Sequence, residues 1–319
     1  MSRILVTGAA GFIGFHLSKS LLDDEYELLG IDNVNNYYNP KLKHARLNQL
    51  KLYKNFTFLK IDISDREFLT KAFTNFKPNK VVNLAAQAGV RYSIENPYAY
   101  MDANLVGFLN IIELCRRNEV EGVIYASSSS VYGGNKKIPF SVDDQVDKPI
   151  SLYAATKRAN ELIAHSYSHL YGIHTTGLRY FTVYGPWGRP DMAMFLFTDK
   201  ILRGEPIQVF NHGNMKRDFT YINDIIAGTR TAIDKNFACE IFNLGNHKSV
   251  ELMDVVRLIE QKLGKKAEVE FLPMQPGDIP ESLADIEKSE KFLGFKPTTD
   301  ISSGIEDFVK WYKDYNTVL

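Results

Sequence analysis

Residues 3–14 read RILVTGAAGFIG, and this stretch decides which fold the chain adopts. Its first five residues are mostly apolar and β-prone, which predicts a buried strand. Gly8, Gly11 and Gly14 follow at three-residue spacing, and a helical pattern begins at Phe12. A strand that passes through a glycine turn directly into a helix is typical of an α/β protein with a parallel sheet.

The glycine turn is suited to binding a dinucleotide. Glycines let the backbone approach a pyrophosphate, and the start of the helix offers it unpaired N–H groups and the positive end of a dipole. The spacing is G-x-x-G-x-x-G and not the commoner G-x-G-x-x-G, so a plain strand-to-helix turn stays open as an alternative. A second predicted strand, Tyr26–Ile31, leads into Asp32, eighteen residues after Gly14. An acid there would bind the adenosine ribose diol and repel a 2′-phosphate, which favours NAD over NADP.

The composition predicts a globular protein without a charge bias. Of 319 residues, 45% are hydrophobic, and Lys+Arg and Asp+Glu both number 38. Because no net field would recruit nucleic acid or an anionic membrane, we expect neither as a partner. The first residues resemble no secretion signal, so we expect a cytoplasmic location. Cys115 and Cys239 lack metal-ligand spacing, and we expect two free, buried thiols.

Apolar runs alternate with helical patterns along the first part of the chain. The runs after the second strand are 56–61, 80–84, 122–126 and 174–180, and the helical patterns are 65–76, 97–118 and 152–171. This alternation predicts an α/β fold with a doubly wound parallel sheet and helices on both faces. We expect ligands beyond the carboxyl ends of the strands, where the sequence has 62–63, 85–87, 127–130 and 181–182.

The alternation loosens beyond about residue 185, where prolines separate shorter elements. We therefore expect a dinucleotide-binding domain over residues 1–185, to which later segments return, and a smaller C-terminal α/β substrate lobe over residues 186–319. Helical patterns recur in this part at 224–235, 250–263 and 301–315.

Tyr153 and Lys157 lie four residues apart on the predicted helix 152–171, so the phenol and the ammonium share one helical face. Tyrosine ionises near pH ~10 in water, and it accepts a proton at neutral pH only if nearby positive charge stabilises its phenolate. Lys157 can supply such a charge. An ordinary amphipathic helix with a tyrosine on its apolar edge is the alternative interpretation.

Taken together, the motifs resemble the extended short-chain dehydrogenase/reductase family, whose dinucleotide domain is of the Rossmann type. The resemblance spans nearly the whole chain and rests on Gly8-x-x-Gly11-x-x-Gly14, Asp32, SSSSVYG (127–133) and Tyr153-x-x-x-Lys157. The strings RYFTVYGP (179–186), KRDF (216–219) and GD (277–278) are similar to the nucleotide-sugar branch. More narrowly, DNVNNYY (32–38), QAGVRYS (87–93) and WGRPDMA (187–193) resemble UDP-glucuronate 4-epimerases.

The resemblance implies tightly held NAD and 4-epimerisation of UDP-glucuronate to UDP-galacturonate. Tyr153 would take the proton of the sugar 4-hydroxyl while the C4 hydride passes to nicotinamide, and Ser128 would hydrogen-bond the same oxygen. Lys157 and the cationic nicotinamide ring would lower the pKa of Tyr153. A 4-keto intermediate that turns its other face to the cofactor would be reduced with opposite stereochemistry. A homodimer formed through the helices near 97–118 and 152–171 is also implied.

The resemblance also implies two sets of binding residues. Those for the cofactor are Gly8, Gly11, Phe12, Ile13, Gly14, Asp32, Asn33, Asn36, Asp62, Ile63, Leu84, Ala85, Ala86, Gln87, Asn104, Tyr153, Lys157, Tyr180 and Val183. Those for the UDP-sugar are Ser128, Ser129, Tyr153, Thr182, Arg189, Val209, Arg217 and Asp278. Asp62 could instead cap a helix, and Asn104 could serve as structural support.

A uronic acid adds a hazard, because a 4-ketone beside the C5 carboxylate is a β-keto acid that loses CO₂ easily. Thr182 stands where related epimerases and decarboxylases usually carry asparagine. We hypothesise that Thr182, with Ser128 and Ser129, holds the carboxylate out of the alignment that breaks the C–C bond. Ser282 stands where galactose-type enzymes carry a bulky gate, so acetamido sugars stay open as substrates.

Several other functions stay open on the sequence alone. UDP-glucuronate decarboxylation shares the first oxidation, and UDP-GlcNAc, UDP-GlcNAcA or UDP-galactose 4-epimerases share the whole mechanism. A 4,6-dehydratase would carry an Asp-Glu pair where this chain has Ser129-Ser130. A non-catalytic NAD-binding scaffold need not keep the tyrosine, lysine and serine together. His165 and His169 share a helix face without a third ligand, so we expect no metal site.

Overall fold

The computed structural model describes residues 2–317. Strands β1 to β12 are Arg3–Thr7, Glu27–Asp32, Phe56–Lys60, Lys80–Asn83, Gly122–Ser128, Thr175–Tyr180, Thr182–Tyr184, Ile207–Val209, Lys216–Tyr221, Cys239–Leu244, Ser249–Glu251 and Val269–Phe271. Helices α1 to α12 are Phe12–Asp23, Lys41–Leu50, Arg66–Phe76, Tyr92–Glu95, Pro97–Tyr100, Phe108–Arg117, Leu152–Tyr171, Ala193–Arg203, Ile222–Lys235, Leu252–Leu263, Glu287–Leu293 and Ile301–Thr317.

Seven strands form the large sheet in the order β10-β6-β5-β4-β1-β2-β3, and every neighbouring pair is parallel. Successive strands leave β1 in one direction up to β3, and from β4 onward they lie on its other side. The order therefore reverses between β1 and β4, which is where such sheets bind their ligands. The predicted doubly wound Rossmann-type sheet is confirmed.

Both faces of the sheet are buried at its central strands, which explains why β1, β4, β5 and β6 are buried along nearly their whole length and do not alternate, whereas the edge strand β3 is mostly exposed. On β1, Ile4 and Val6 pack in the same cluster as residues of α1 and α9. Leu5 points to the opposite face and packs in a cluster with Phe73 of α3 and Ile111 of α6. Helices on two faces of a single sheet thus follow from neighbouring apolar side chains on one strand.

The predicted helix 152–171 is observed as α7 with the same bounds. It begins after Ser151, whose side chain accepts a hydrogen bond from the Ala154 N–H at 3.1 Å, and it ends at Gly172 in the left-handed conformation. Such caps satisfy backbone groups that a helix end leaves unpaired.

The single helix expected over 97–118 is wrong in detail. The structure has α5, then a π-helical segment Met101–Gly107, then α6. Gly107 lies against the next layer so closely that a Cβ there would meet Ile63 Cγ1 at 2.5 Å. Widened turns of this kind re-aim side chains near functional sites, and here the segment contains the buried Asn104.

The second half of the chain builds smaller sheets beside the large one. Strands β7, β9 and β11 form a three-stranded sheet and β8 pairs with β12, whereas β10 joins the large sheet. Cys115 is buried as expected, but the expectation of burial is wrong for Cys239, which is exposed at the first position of the sheet-edge strand β10. Within residues 2–317, no helix is long and apolar enough to span a bilayer.

Candidate active site

A cavity of about 790 Å³ opens where the order of the strands reverses. The residues after β1 and β4 line one part of it, and Arg217 and Asp278 of the C-terminal half line another. Tyr153, Lys157 and Ser128 also line this cavity. One cavity therefore brings together residues that the sequence analysis assigned separately to cofactor, substrate and chemistry.

The glycines of the first turn allow backbone segments to touch. A Cβ on Gly8, whose φ is 71°, would lie 2.8 Å from the Ala85 nitrogen, and a Cβ on Gly14 would lie 2.0 Å from the Gly8 oxygen. Gly11 is the N-cap residue of α1 and brings no capping side chain. The start of α1 is thus uncapped beside the cavity, an arrangement that fits the pyrophosphate of a dinucleotide.

Asp32 lies at the end of β2 and lines the cavity. Its carboxylate accepts hydrogen bonds from the Ala10 N–H at 3.2 Å and the Val34 N–H at 2.8 Å, and Lys43 Nζ lies 3.9 Å away. These partners fix the orientation of an acid that, by its place after the second strand, fits a ribose diol.

Asp62 lines the cavity and does not cap a helix, because Asp65 makes the capping bonds of α3. Asp62 accepts from the Ser64 N–H at 2.9 Å and from Asn33 Nδ2 at 2.7 Å. Burial raises the pKa of Asp62, but these hydrogen bonds outweigh it and hold that pKa below its ordinary value. Asp62 and Asn33, both assigned to the cofactor by resemblance, are thus held together at one end of the cavity.

Tyr153 and Ser128 line the same cavity, and the Ser128 hydroxyl lies close enough to the phenol to lower the pKa of Tyr153. The Ser128 oxygen also accepts from the Ser130 N–H at 3.1 Å, which holds this hydroxyl at the end of β5. Lys157 Nζ donates to the Ala126 carbonyl oxygen at 2.9 Å. The phenol, the hydroxyl and the ammonium are therefore placed by one strand end and one helix.

Burial sets the acidity of these groups. It lowers the pKa of Lys157 to about 8, against the negative charge of Glu161. It raises the pKa of Tyr153 above the ordinary value, and the Ser128 hydrogen bond and the positive charge of Arg189 only partly offset this. The charges of the protein alone thus do not make Tyr153 a base at neutral pH, and further positive charge beside it is needed.

Two buried polar residues, Glu161 and Asn104, hold the elements around the site in place. Glu161 accepts from Ser127 Oγ at 2.6 Å and from Arg179 Nε at 2.8 Å, so it ties the end of β5 to α7 and β6. Asn104 accepts from the Gln87 N–H at 2.8 Å, and its Nδ2 donates to the Gln87 carbonyl and to Thr156 Oγ1 at 3.0 Å. Satisfied buried networks of this kind rigidify the backbone that they hold.

Two ion pairs lie at the substrate end of the cavity. Arg217 Nη2 donates to Asp278 Oδ1 at 2.7 Å, so two residues that the resemblance assigns to the UDP-sugar are bound to each other. Arg189 Nε donates to Asp191 Oδ1 at 3.0 Å, and Tyr37 donates to the other oxygen of Asp191 at 3.0 Å.

Three predicted binding residues do not line the cavity. Asn36 is exposed, Val209 is buried within β8, and Asn104 is buried beneath the Gln87 backbone. Ser282, expected at a gate, is also buried, and its Oγ accepts from the Asp218 N–H at 3.3 Å. All other predicted site residues line the cavity.

Some residues that line the cavity were not predicted, among them Tyr37, Lys43, Arg91, Asp191 and Phe210. Three of them lie inside strings that carried the resemblance, so those strings already contained the signal. Lys43 and Phe210 lie outside every such string. Across residues 2–317, no cluster of three or more side chains suited to holding a metal ion is found.

Residues 4–245 match the family profile described as NAD dependent epimerase/dehydratase. The chain belongs to this epimerase family. A UDP-glucuronate 4-epimerase from Arabidopsis thaliana is 47% identical over 98% of this chain and 75% of that protein. Among solved structures of the family, the UDP-glucuronic acid 4-epimerase from Bacillus cereus in complex with UDP-glucuronic acid and NAD has a TM-score of 0.93 and 36% identity, over 98% of this chain and 99% of that one. A UDP-glucose 4-epimerase from Thermotoga maritima with UDP-glucose has a TM-score of 0.91 at 29% identity, over 98% and 99%.

Proposed function

We propose that this protein catalyses the NAD-dependent 4-epimerisation of UDP-glucuronate to UDP-galacturonate. The observation that carries the proposal is the meeting of Tyr153, Ser128 and Lys157 in a cavity that also holds the glycine turn of the family. The similarity to UDP-glucuronate 4-epimerases is greater than to the UDP-glucose enzyme, at 47% and 36% against 29% identity.

The cofactor end of the cavity fits NAD. The uncapped start of α1 would hold the pyrophosphate and Asp32 the adenosine ribose, with the other cofactor residues assigned by resemblance around them. When bound, NAD⁺ supplies the acceptor for the C4 hydride and the donor for its return, together with the positive charge of its ring.

The chain itself moves one proton. Tyr153 would accept the proton of the sugar 4-hydroxyl, while Ser128, which lines the same cavity, would hold the same oxygen in line. Lys157, fixed by the Ala126 carbonyl, would contribute positive charge to the phenolate. Tyr153 would then return the proton to the inverted alcohol, so the reaction leaves the protonation state of the protein unchanged.

Inversion requires the 4-keto sugar to turn within the cavity while its diphosphate stays bound. The protein must therefore grip the diphosphate more firmly than the sugar ring. Arg217 suits this role because a guanidinium can pair two phosphate oxygens at once, and Asp278 holds it at 2.7 Å. Arg189 is a second such group, and Asp278 would also accept from the uridine ribose.

The function is tested by the products that form from UDP-glucuronate. We expect purified protein without added NAD to convert it to UDP-galacturonate, with both nucleotide sugars seen by proton NMR, because the cofactor stays bound through turnover. A pentose nucleotide as the main product would identify a decarboxylase. Unchanged UDP-glucuronate with rapid turnover of UDP-galactose or UDP-GlcNAc would contradict the proposal.

Thr182 is the first residue of β7 and lines the cavity next to Phe181, together with Ser128 and Ser129. We expect Thr182→Ala to release more UDP-pentose per epimerisation, because a freed carboxylate reaches the alignment for CO₂ loss. A loss of one charge-assisted hydrogen bond predicts a change of about tenfold in the product ratio. Thr182→Ser keeps the hydroxyl and is the matched control. An unchanged pentose fraction and epimer yield in Thr182→Ala would refute this role.

We also propose that the protein is a cytoplasmic homodimer. Residues 1–185 would contribute mainly the cofactor side of the cavity, and residues 186–319 mainly the substrate side. Tyr98, Val106, Leu109 and Leu162 are large apolar side chains exposed on the segments where the family resemblance places the dimer contact. The elements that carry these side chains pack against one another, and large apolar side chains exposed on neighbouring helices are typical of an interface. The molar mass measured by light scattering should be twice that of one chain. The mass of a monomer at micromolar protein concentration would contradict the proposed dimer.

A further inference from the structure

The turn that carries Arg189 into the cavity has a strained residue at its centre. Trp187 has a φ of 61°, a left-handed conformation that costs a bulky residue on the order of 1 kcal/mol or more. Its ring packs against those of Trp311 and Tyr315 on α12 and Phe15 on α1, with centroids 5.3 to 5.5 Å apart. Such strain persists only where the surroundings hold it.

Arg46 on α2 is the polar group that holds this turn. Its Nη2 donates to the carbonyl oxygens of Trp187 at 2.5 Å and Gly188 at 3.1 Å. Its Nη1 donates to the carbonyl of Ala10, inside the glycine turn, and to the Tyr38 hydroxyl, both at 2.9 Å. One guanidinium thus joins the cofactor-binding turn to the turn that carries a substrate-facing arginine.

The bonds of Arg46 are unusual for a side chain with 0% of its surface exposed. All four acceptors are neutral oxygens, three of them backbone carbonyls. Burying a cation among neutral groups costs free energy unless its donors are well used. Only the planar fork of arginine reaches carbonyls in two directions at once, and a lysine ammonium at the same place would satisfy one side.

A second set of bonds joins the same parts. Tyr37, in the segment after Asp32, donates to Asp191 at 3.0 Å, and Asp191 binds Arg189. On the other side, His16 Nε2 of α1 lies 2.9 Å from the Pro186 oxygen. Tyr37 follows Asp32 in the sequence, and His16 follows the glycine turn. Both residues that bind this part of the chain therefore lie next to the proposed cofactor site.

We propose that Arg46 is a positioning residue that sets Arg189 relative to the cofactor site. It fixes the left-handed turn at Trp187 against the carbonyl of Ala10, so that the arginine two residues later points into the cavity. Loosening Arg46 should therefore weaken both the nucleotide-sugar and the cofactor. The identity of the ligands rests on the proposed function, whereas the coupling rests on the bonds of Arg46.

The chain contains a built-in reporter of this turn. Its two tryptophans are Trp187 and Trp311, whose rings lie 5.3 Å apart. Tryptophan emission thus comes from the aromatic cluster that holds the turn. A change in the turn should shift the emission, whereas a loss of stability elsewhere should leave the emission of the folded protein unchanged.

The test compares Arg46→Lys with Arg230→Lys in the purified holoenzyme. Arg230 is a matched control, because it donates to the Ser20 carbonyl at 2.8 Å and joins α9 to α1, and it does not line the cavity. For Arg46→Lys we expect Kd for UDP-glucuronate to rise about tenfold, KM to change more than kcat, less NAD to survive gel filtration, and tryptophan emission to shift. For Arg230→Lys we expect the Kd for UDP-glucuronate, the values of KM and kcat, the NAD retained and the tryptophan emission to stay as in the wild type.

A purely structural role would overturn the proposal. It would show as a lower melting temperature in Arg46→Lys with wild-type Kd, NAD content and emission. If Arg46→Lys does not fold, Tyr38→Phe carries the test, since it removes the hydroxyl that accepts a hydrogen bond from Arg46 Nη1. A raised Kd would then support the proposal, and an unchanged Kd would overturn it. If wild-type protein fails to bind UDP-glucuronate, the proposed function fails, and NAD retention and emission still decide the role of Arg46.

Discussion

The structure depends on the contact of backbone with backbone at the first glycine turn. Gly8 lies against the end of β4, and Gly14 lies against Gly8, with no room for a Cβ at either position. This contact brings the uncapped start of α1 to the point where the order of the strands reverses. The cavity, and the convergence on it of residues from both halves of the chain, follow from that placement.

Chemistry is added by buried polar groups that hold one another. Glu161 and Asn104 fix the backbone on two sides of the Tyr153 helix, and Ser128 is set at the end of β5. Burial lowers the pKa of Lys157 to about 8 and raises the pKa of Tyr153. The protein alone therefore keeps its phenol protonated, and the positive charge that makes Tyr153 a base must arrive largely with the cofactor, which ties proton transfer to an occupied NAD site.

The parts of the fold that depend on neighbouring residues in the sequence could be predicted. Six of the seven strands of the large sheet and the helix 152–171 are marked by mostly apolar runs or by caps, and the structure has them within two residues, whereas β10 was not predicted. The π-helical segment was not predicted, and its Gly107 packs on Ile63, 44 positions away in the sequence, a contact that local patterns do not show. Arg46 was missed for the same reason, since its bond to Trp187 spans 141 residues and a lone arginine in a sequence suggests a solvated charge.

The proposed mechanism depends on Tyr153 as the group that removes the proton of the sugar 4-hydroxyl. The most direct measurement is the epimerisation rate of Tyr153→Phe in protein shown to hold NAD and to bind UDP-glucuronate as the wild type does. We expect kcat to fall by about 10² to 10⁴, the contribution of a positioned general base, with Kd nearly unchanged. A variant that keeps the wild-type kcat with both ligands bound would contradict the account.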